Sequence, residues 1–232
     1  MKVFEKRFRV EALTDTIEMD GPEVQHMRVL RLKAGDEIHL FDGTGWEARA
    51  RIEDLDAFTV TMIVLERFQN DLELPQPVTL ALALLKGDKL ADVVRACTEL
   101  GVSRFQLIKT QYADVPDLGD NKLVRLRRIA EEASKQSRRA VVPEVLAPIS
   151  LKQLPSVPLG FVAHPGTQDT VLSKLSWDGQ VWFATGPEGG FSASEVELLK
   201  QKNFTPVTLG KRILRAETAP VALLGAVVST GV

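Results

Sequence analysis

Apolar positions along this 232-residue chain fall into two patterns that change near residue 70. Beyond it, short and mostly apolar runs recur at Val78–Leu85, Phe105–Ile108, Leu159–Ala163, Val181–Ala184 and Pro206–Leu209. Runs of this length without a polar face predict strands buried on both sides. Between them the spacing becomes helical. Asp88 opens a helix with Leu90, Val93, Val94 and Cys97 on one face, and Gly101 ends it. Asp120 opens a second, with Leu123, Leu126, Ala130 and Ala133 inward. Ser192-Ala193-Ser194-Glu195 is a capping box that starts a third, running to about Lys202. Glu217 opens an apolar helix that tolerates Pro220 because the missing N–H falls in its first turn. Alternating strands and helices predict an α/β domain.

The first seventy residues read differently. Lys6–Val10 is a strand candidate, and Pro22 starts a short helix covering Gln25–Leu30. Glu37–Phe41 alternates toward the turn Asp42-Gly43-Thr44-Gly45, a hairpin signal. The returning strand, Trp46–Ile52, places Ala48, Ala50 and Ile52 on one face and Glu47, Arg49 and Arg51 on the other. Phe58–Val64 continues the meander. The polar, proline-flanked stretch Phe68–Pro77 is a linker, so two domains are expected, 1–70 and 71–232.

Charge refines this picture. The formal net charge is −2, yet residues 1–70 carry −4 and the remainder +2. Lys122–Arg139 holds 7 basic and 2 acidic residues, a stripe suited either to phosphates or simply to solvent. No apolar run is long enough to span a bilayer, and Met1–Glu5 leads into charge rather than a signal peptide. The single cysteine, Cys97, fits a reducing cytoplasm, and three histidines without ligand spacing predict no metal site.

Two glycine-bearing turns follow the last strand runs: Gly186-Pro187-Glu188-Gly189-Gly190 and Leu209-Gly210. In open α/β sheets ligands lie at the carboxyl ends of strands, where glycine permits close backbone approach. There is no GxGxxG and no Walker A loop, so a ligand here is gripped by backbone amides and carbonyls rather than a phosphate cradle. Alternatively, the glycines only shape the turns.

GPEGGFS followed by LGKRILRAETA resembles the C-terminal signature of the RsmE family, methyltransferases acting on N3 of one uridine in 16S ribosomal RNA. KGDKLADVVRACTELGVSRF is similar to the same family's pattern. The resemblance implies a SPOUT domain with a trefoil knot, using S-adenosylmethionine (SAM) and dimerising so that each site forms at the dimer interface. Its SAM site would comprise Ala163 and His164, then Gly186, Pro187, Glu188, Gly189 and Gly190, then Leu209, Gly210, Ile213, Leu214 and Thr218. His26-Met27-Arg28-Val29-Leu30-Arg31, Gly35-Asp36 and Phe41-Asp42-Gly43 resemble the family's PUA-like β-barrel domain. Arg7, Arg9, His26, Arg28 and Arg31 would then face RNA, joined by Arg138 and Arg139.

Two departures accompany the match. Thr110–Val115 stands where many members carry an Arg-Ser pair, and Arg138 replaces the glycine of a QSGR motif. That replacement demands ordinary backbone angles or strain. For chemistry, Arg139 and Arg215 are expected to stabilise charge on the base oxygens, with Glu188 and Glu217 as candidate bases. Both glutamates have a structural alternative, Glu217 by favouring a helix start. Two other functions fit less well: a ribose 2′-O-methyltransferase, whose usual asparagine- and serine-containing motif is replaced by ILRAETA, and a non-catalytic RNA-binding assembly factor. The apolar last helix, with Val221, Leu223, Leu224, Val227 and Val228, predicts a homodimer or a helix buried all round.

Overall fold

A computed structural model describes residues 6–229; Met1–Glu5, the stretch expected to lack a signal peptide, lies outside them. Two compact units emerge, 6–73 with 134–142, and 74–133 with 143–229.

In the first unit a curled five-stranded sheet is ordered β1 (Arg7–Arg9), β3 (Glu37–Phe41), β4 (Trp46–Leu55), β5 (Thr59–Gln69), β2 (Thr16–Asp20). Only β1 and β3 run parallel; the other pairs are antiparallel. Alternation makes the core: Ala48, Ala50 and Ile52 of β4 are buried beside Phe8, Leu40 and Met62. Helix α1 (Pro22–Val29) adds Val24 and Met27. At the β3–β4 turn, Asp42 Oδ1 accepts from the amide and hydroxyl of Thr44, and Gly43 and Gly45 take φ of 87° and 110°. The strip 139–142 lies along this turn: Gly45 N–H donates to the Ala140 carbonyl and Val142 N–H to that of Gly43.

One face of β4 departs from its pattern. Glu47, expected on the polar side, is buried, because Arg7 (Nη2–Oε1 2.8 Å) and Asn70 both donate to it.

The second unit is built on a parallel sheet ordered β11 (Phe204–Val207), β9 (Leu159–Ala163), β10 (Val181–Thr185), β6 (Val78–Ala83), β7 (Arg104–Lys109), β8 (Glu144–Ser150). Every residue of β6 and β10 is buried, as strands covered on both faces require. Alternate residues divide between two cores. Leu80, Leu82, Phe161 and Phe183 pack with residues of α2 (Lys89–Glu99), α3 (Asp120–Ser137) and α5 (Thr218–Val228). Ala81, Ala83, Val162, Trp182 and Ala184 pack with Val196 and Leu199 of α4 (Ala193–Gln201). The inward positions named for α2 and α3 are all buried. Ser192 and Glu195 form the capping box: Ser192 Oγ accepts from Glu195 N–H and Glu195 Oε2 from Ser192 N–H. Asp88 makes no side-chain cap and instead meets Arg125 at 2.9 Å. Chain order and sheet order part company at β9, which precedes β10 but ends between β10 and β11.

The expected single cut near residue 70 thus differs in one respect, since Ser134–Val142 returns to the first unit.

Candidate functional site

The carboxyl ends of β9, β10 and β11 open into a cavity of about 630 Å³ in the second unit. Each wall comes from a segment that begins where a strand stops. Ala163–Pro165 follows β9, Thr185–Phe191 leaves β10, and 208–217 follows β11, with Lys89 reaching in from α2. All the residues expected to hold SAM line this cavity except Thr218, which is the first residue of α5.

Backbone shapes the two glycine turns. Gly190 N–H donates to the Pro187 carbonyl at 2.9 Å, and Gly190 and Gly210 have φ of 70° and 103°, where side chains are strained. Gly186 is confined by backbone, since a Cβ there would lie 3.2 Å from the Gly190 carbonyl carbon. Gly189 is constrained from a direction that ligand approach alone does not anticipate. A Cβ there would meet Tyr112 Cβ at 2.7 Å and its carbonyl oxygen at 3.2 Å. Tyr112 belongs to the Thr110–Val115 segment. Beside it, Gln111 N–H donates to Glu195 Oε1 at 2.7 Å, so the carboxylate that caps α4 also fastens this loop.

The electrostatics centre on a lysine that the sequence did not single out. Lys89 Nζ is 3.0 Å from Glu188 Oε1 and 3.4 Å from Glu217 Oε2. The Glu188 hydrogen bond raises the Lys89 pKa above its ordinary value. For Glu188, burial pushes the pKa up, but the Lys89 hydrogen bond and charge, together with backbone hydrogen bonds at Glu188 and Lys86, outweigh it and leave the carboxyl lowered. A carboxylate stabilised in this way is a weakened base. Glu217 occupies the N-cap position of α5 without a side-chain cap bond, so its carboxylate is directed to Lys89 rather than to helix amides. Thr185, the last residue of β10, is buried and lines the cavity, and its Oγ1 has no hydrogen-bond partner among the described residues. Its position at the end of an apolar run before a glycine turn was the available sequence signal.

Four arginines divide sharply. Arg215 is exposed on the cavity wall. Arg139 is not among the cavity-lining residues: only 3% exposed, it forks onto Glu73, Nε to Oε1 at 3.0 Å and Nη2 to Oε2 at 2.6 Å. A guanidinium so engaged has to leave its carboxylate before it can meet a base oxygen or a phosphate. Arg7 is engaged in a similar way. It lies over the Phe41 ring at 4.7 Å and donates to Glu47 and to the Arg139 carbonyl, and its burial lowers its pKa. Arg138 is exposed.

Of the remaining residues expected to face RNA, Arg9, His26, Arg28 and Arg31 are exposed on the first unit. His26 Nδ1 lies 3.7 Å from Glu23, and its ring meets Phe8 edge to face. Arg28 donates to the Ala57 carbonyl at 3.4 Å.

Among the described residues no group of His, Cys, Asp or Glu is placed to hold a metal, and no helix is long and apolar enough to cross a membrane.

Comparison with known proteins gives a consistent result. Residues 72–228 match the model of an RNA methyltransferase domain, and residues 20–63 that of an RNA methyltransferase PUA domain. The chain is 40% identical over 223 residues to ribosomal RNA small subunit methyltransferase E of Synechocystis, covering 90% of this chain and 71% of the relative. It is 34% identical over 230 residues to the protein of the same name from Bacillus subtilis, covering 91% and 89%. A crystal structure of ribosomal RNA small subunit methyltransferase E from Neisseria gonorrhoeae bound to S-adenosyl methionine superposes with a TM-score of 0.89, at 31% identity and 97% coverage of both chains.

Proposed function

The chain belongs to the ribosomal RNA small subunit methyltransferase E family, and from that premise we propose that it transfers a methyl group from SAM to N3 of one uridine in 16S ribosomal RNA. The observation that carries this reading is the cavity itself: segments matching the family signature converge at the carboxyl ends of three parallel strands. Its donor set suits SAM, with glycine turns for backbone contact, the unpartnered Thr185 hydroxyl for a polar group, and apolar walls at Leu209, Ile213 and Leu214. Bound SAM supplies an activated methyl group whose departure leaves a neutral thioether.

The chain's own residues then have two tasks, positioning and charge management. Uridine N3 becomes nucleophilic as its proton leaves, and the negative charge spreads to the base oxygens. Arg215, exposed on the cavity wall, is the guanidinium placed to meet that charge. Glu188 is held as a carboxylate by Lys89, so its role fits electrostatic positioning better than proton removal. Glu217 meets the same lysine only at 3.4 Å and without a hydrogen bond, so it is the less committed of the two candidate bases.

The first unit, whose match is to a PUA domain, would present Arg9, Arg28, Arg31 and Arg138 to RNA phosphates, with His26 beside them. We further infer a cytoplasmic homodimer. Its support is Ile213, which is 91% exposed while forming part of the cavity wall, an apolar side chain suited to cover by a second copy. The last helix contributes less than its composition suggested, because Leu223, Leu224 and Val227 are already buried within the chain.

Mass spectrometry of ribosomal RNA nucleosides from cells with and without this gene tests the reaction. Loss of 3-methyluridine from small-subunit RNA is expected; an unchanged nucleoside profile refutes the reading. Sedimentation equilibrium tests assembly, and a fully active monomer at micromolar concentration overturns the dimer.

A further inference from the structure

Lys89 sits where local preference opposes it. It is the first residue of α2, at the end of a helix where the dipole disfavours a cation. Glu217 is equally out of keeping at the opposite partner, since it occupies an N-cap position without capping. Both departures are resolved at the same ammonium group: Lys89 Nζ donates to Glu188 Oε1 at 3.0 Å and ion-pairs at 3.4 Å with Glu217 Oε2, a buried oxygen without a hydrogen-bond partner among the described residues. Three segments far apart in sequence, the start of α2, the turn after β10 and the start of α5, are thereby joined on one ammonium group. Side chains that give up locally favourable roles to meet at a cavity usually mark function.

We propose that Lys89 is a positioning residue for the proposed SAM site, a clasp that holds the Gly186–Gly190 turn and the 209–217 segment in register through Glu188 and Glu217. The inference rests on the SAM reading for its ligand, but not for its geometry. The clasp is only partly shielded, with about a third of the Lys89 side chain and a quarter of each glutamate exposed, so the effect of losing it is moderate rather than drastic. Lys86 and Asp114 form a neighbouring pair at 2.9 Å. Lys86 also acts on Glu188, and Asp114 is lowered mainly by Lys86 and slightly by Lys89. Arg212 and Arg215 complete the charges along the cavity.

The test uses the full chain with Lys89→Met and Lys89→Arg. Amide hydrogen exchange without ligand is measured first over 186–190 and 209–217. Lys89→Met is expected to speed exchange in both segments, whereas Lys89→Arg keeps it near the wild-type rate. Calorimetry with SAM is then expected to show about tenfold weaker binding for Lys89→Met and at most about threefold for Lys89→Arg, as befits two partly exposed pairs lost together. The pH dependence separates a charge clasp from simple packing. Glu188 is lowered in the folded protein, so its contribution is complete above the ordinary glutamate range and fades as pH falls through the lowered value. Without Lys89 that acid limb moves upward, and a merely space-filling lysine would leave it in place.

Unchanged exchange in both segments for Lys89→Met overturns the clasp whatever the ligand. Unchanged SAM affinity and pH limb in that variant overturn its positioning role. If the wild-type chain fails to bind SAM, the ligand reading falls, and the exchange measurement alone decides the clasp.

Discussion

Replacing Arg138 with glycine should stabilise the first unit while weakening its hold on RNA. Arg138 has φ of +66°, the left-handed region in which a Cβ crowds the following carbonyl. That conformation costs an L-residue about 1–2 kcal/mol. Glycine removes the crowding but has more freedom to lose on folding, about 0.5–1 kcal/mol. Between the midpoints of the two ranges the difference is about 0.7 kcal/mol in favour of Arg138→Gly. A second contribution has the same sign. Arg7, whose charged form burial already disfavours, is further disfavoured by the charge on Arg138. Arg138→Ala isolates this second part, because it removes the charge and keeps the Cβ. Urea unfolding of wild type and both variants supplies the comparison, with thermal melting as a check. For a chain of this length the melting temperature should rise by about 1–4 °C in Arg138→Gly. Arg138→Ala should gain less. If alanine stabilises as much as glycine, or if glycine destabilises, the strain reasoning fails. On the RNA side, both variants should lose about one unit from the slope of log affinity against log salt, the signature of one lost phosphate contact. An unchanged slope removes Arg138 from the RNA surface and leaves its strain without that purpose.

Arg139→Ala should destabilise the protein by about 2 kcal/mol in chemical denaturation, because Glu73 loses a bidentate partner; a fully stable variant with reduced turnover would instead restore a catalytic part for Arg139. Arg215→Ala should leave SAM affinity nearly intact and lower turnover about 10²-fold, with Arg215→Lys rescuing poorly; a tenfold loss of SAM binding by calorimetry would contradict this. Gly189→Val should weaken SAM binding by displacing its turn from Tyr112, and unchanged affinity would exclude that turn from the site.

The buried strands were legible because central positions in a parallel sheet leave no polar face to confuse the pattern, as in Val78–Ala83 and Val181–Thr185. Edge strands were not. In β2, Ile17 is the sole buried residue of five, and β8 carries Pro148 in an edge strand, so neither shows a clear period. The cavity walls were visible as glycine turns after apolar runs. Lys89 was not, because its meaning depends on two carboxylates 99 and 128 positions further along the chain. The ion pairs of Arg7 and Arg139 were hidden for a related reason: their partners, Glu47 and Glu73, are found only when the chain has folded. An arginine's type signals an appetite for anions, and the fold decides whether that anion is substrate or neighbour.

The return of Ser134–Val142 to the first unit also sets an order of events during synthesis. The strip that supplies Arg139 to Glu73, and the Ala140 carbonyl to the hairpin turn, is translated long after residue 73. At ribosomal speeds of about 5–20 residues per second, about 70 intervening residues take about 4–14 seconds to emerge. Throughout that interval the curled sheet waits without the Arg139 fork on Glu73 and without the two strip bonds to its turn, while β6, α2 and β7 of the second unit are already being made. The N-terminal unit of this RNA-modifying enzyme therefore cannot finish folding first, and a ribosome stalled before residue 139 should carry it in an incomplete, protease-sensitive form.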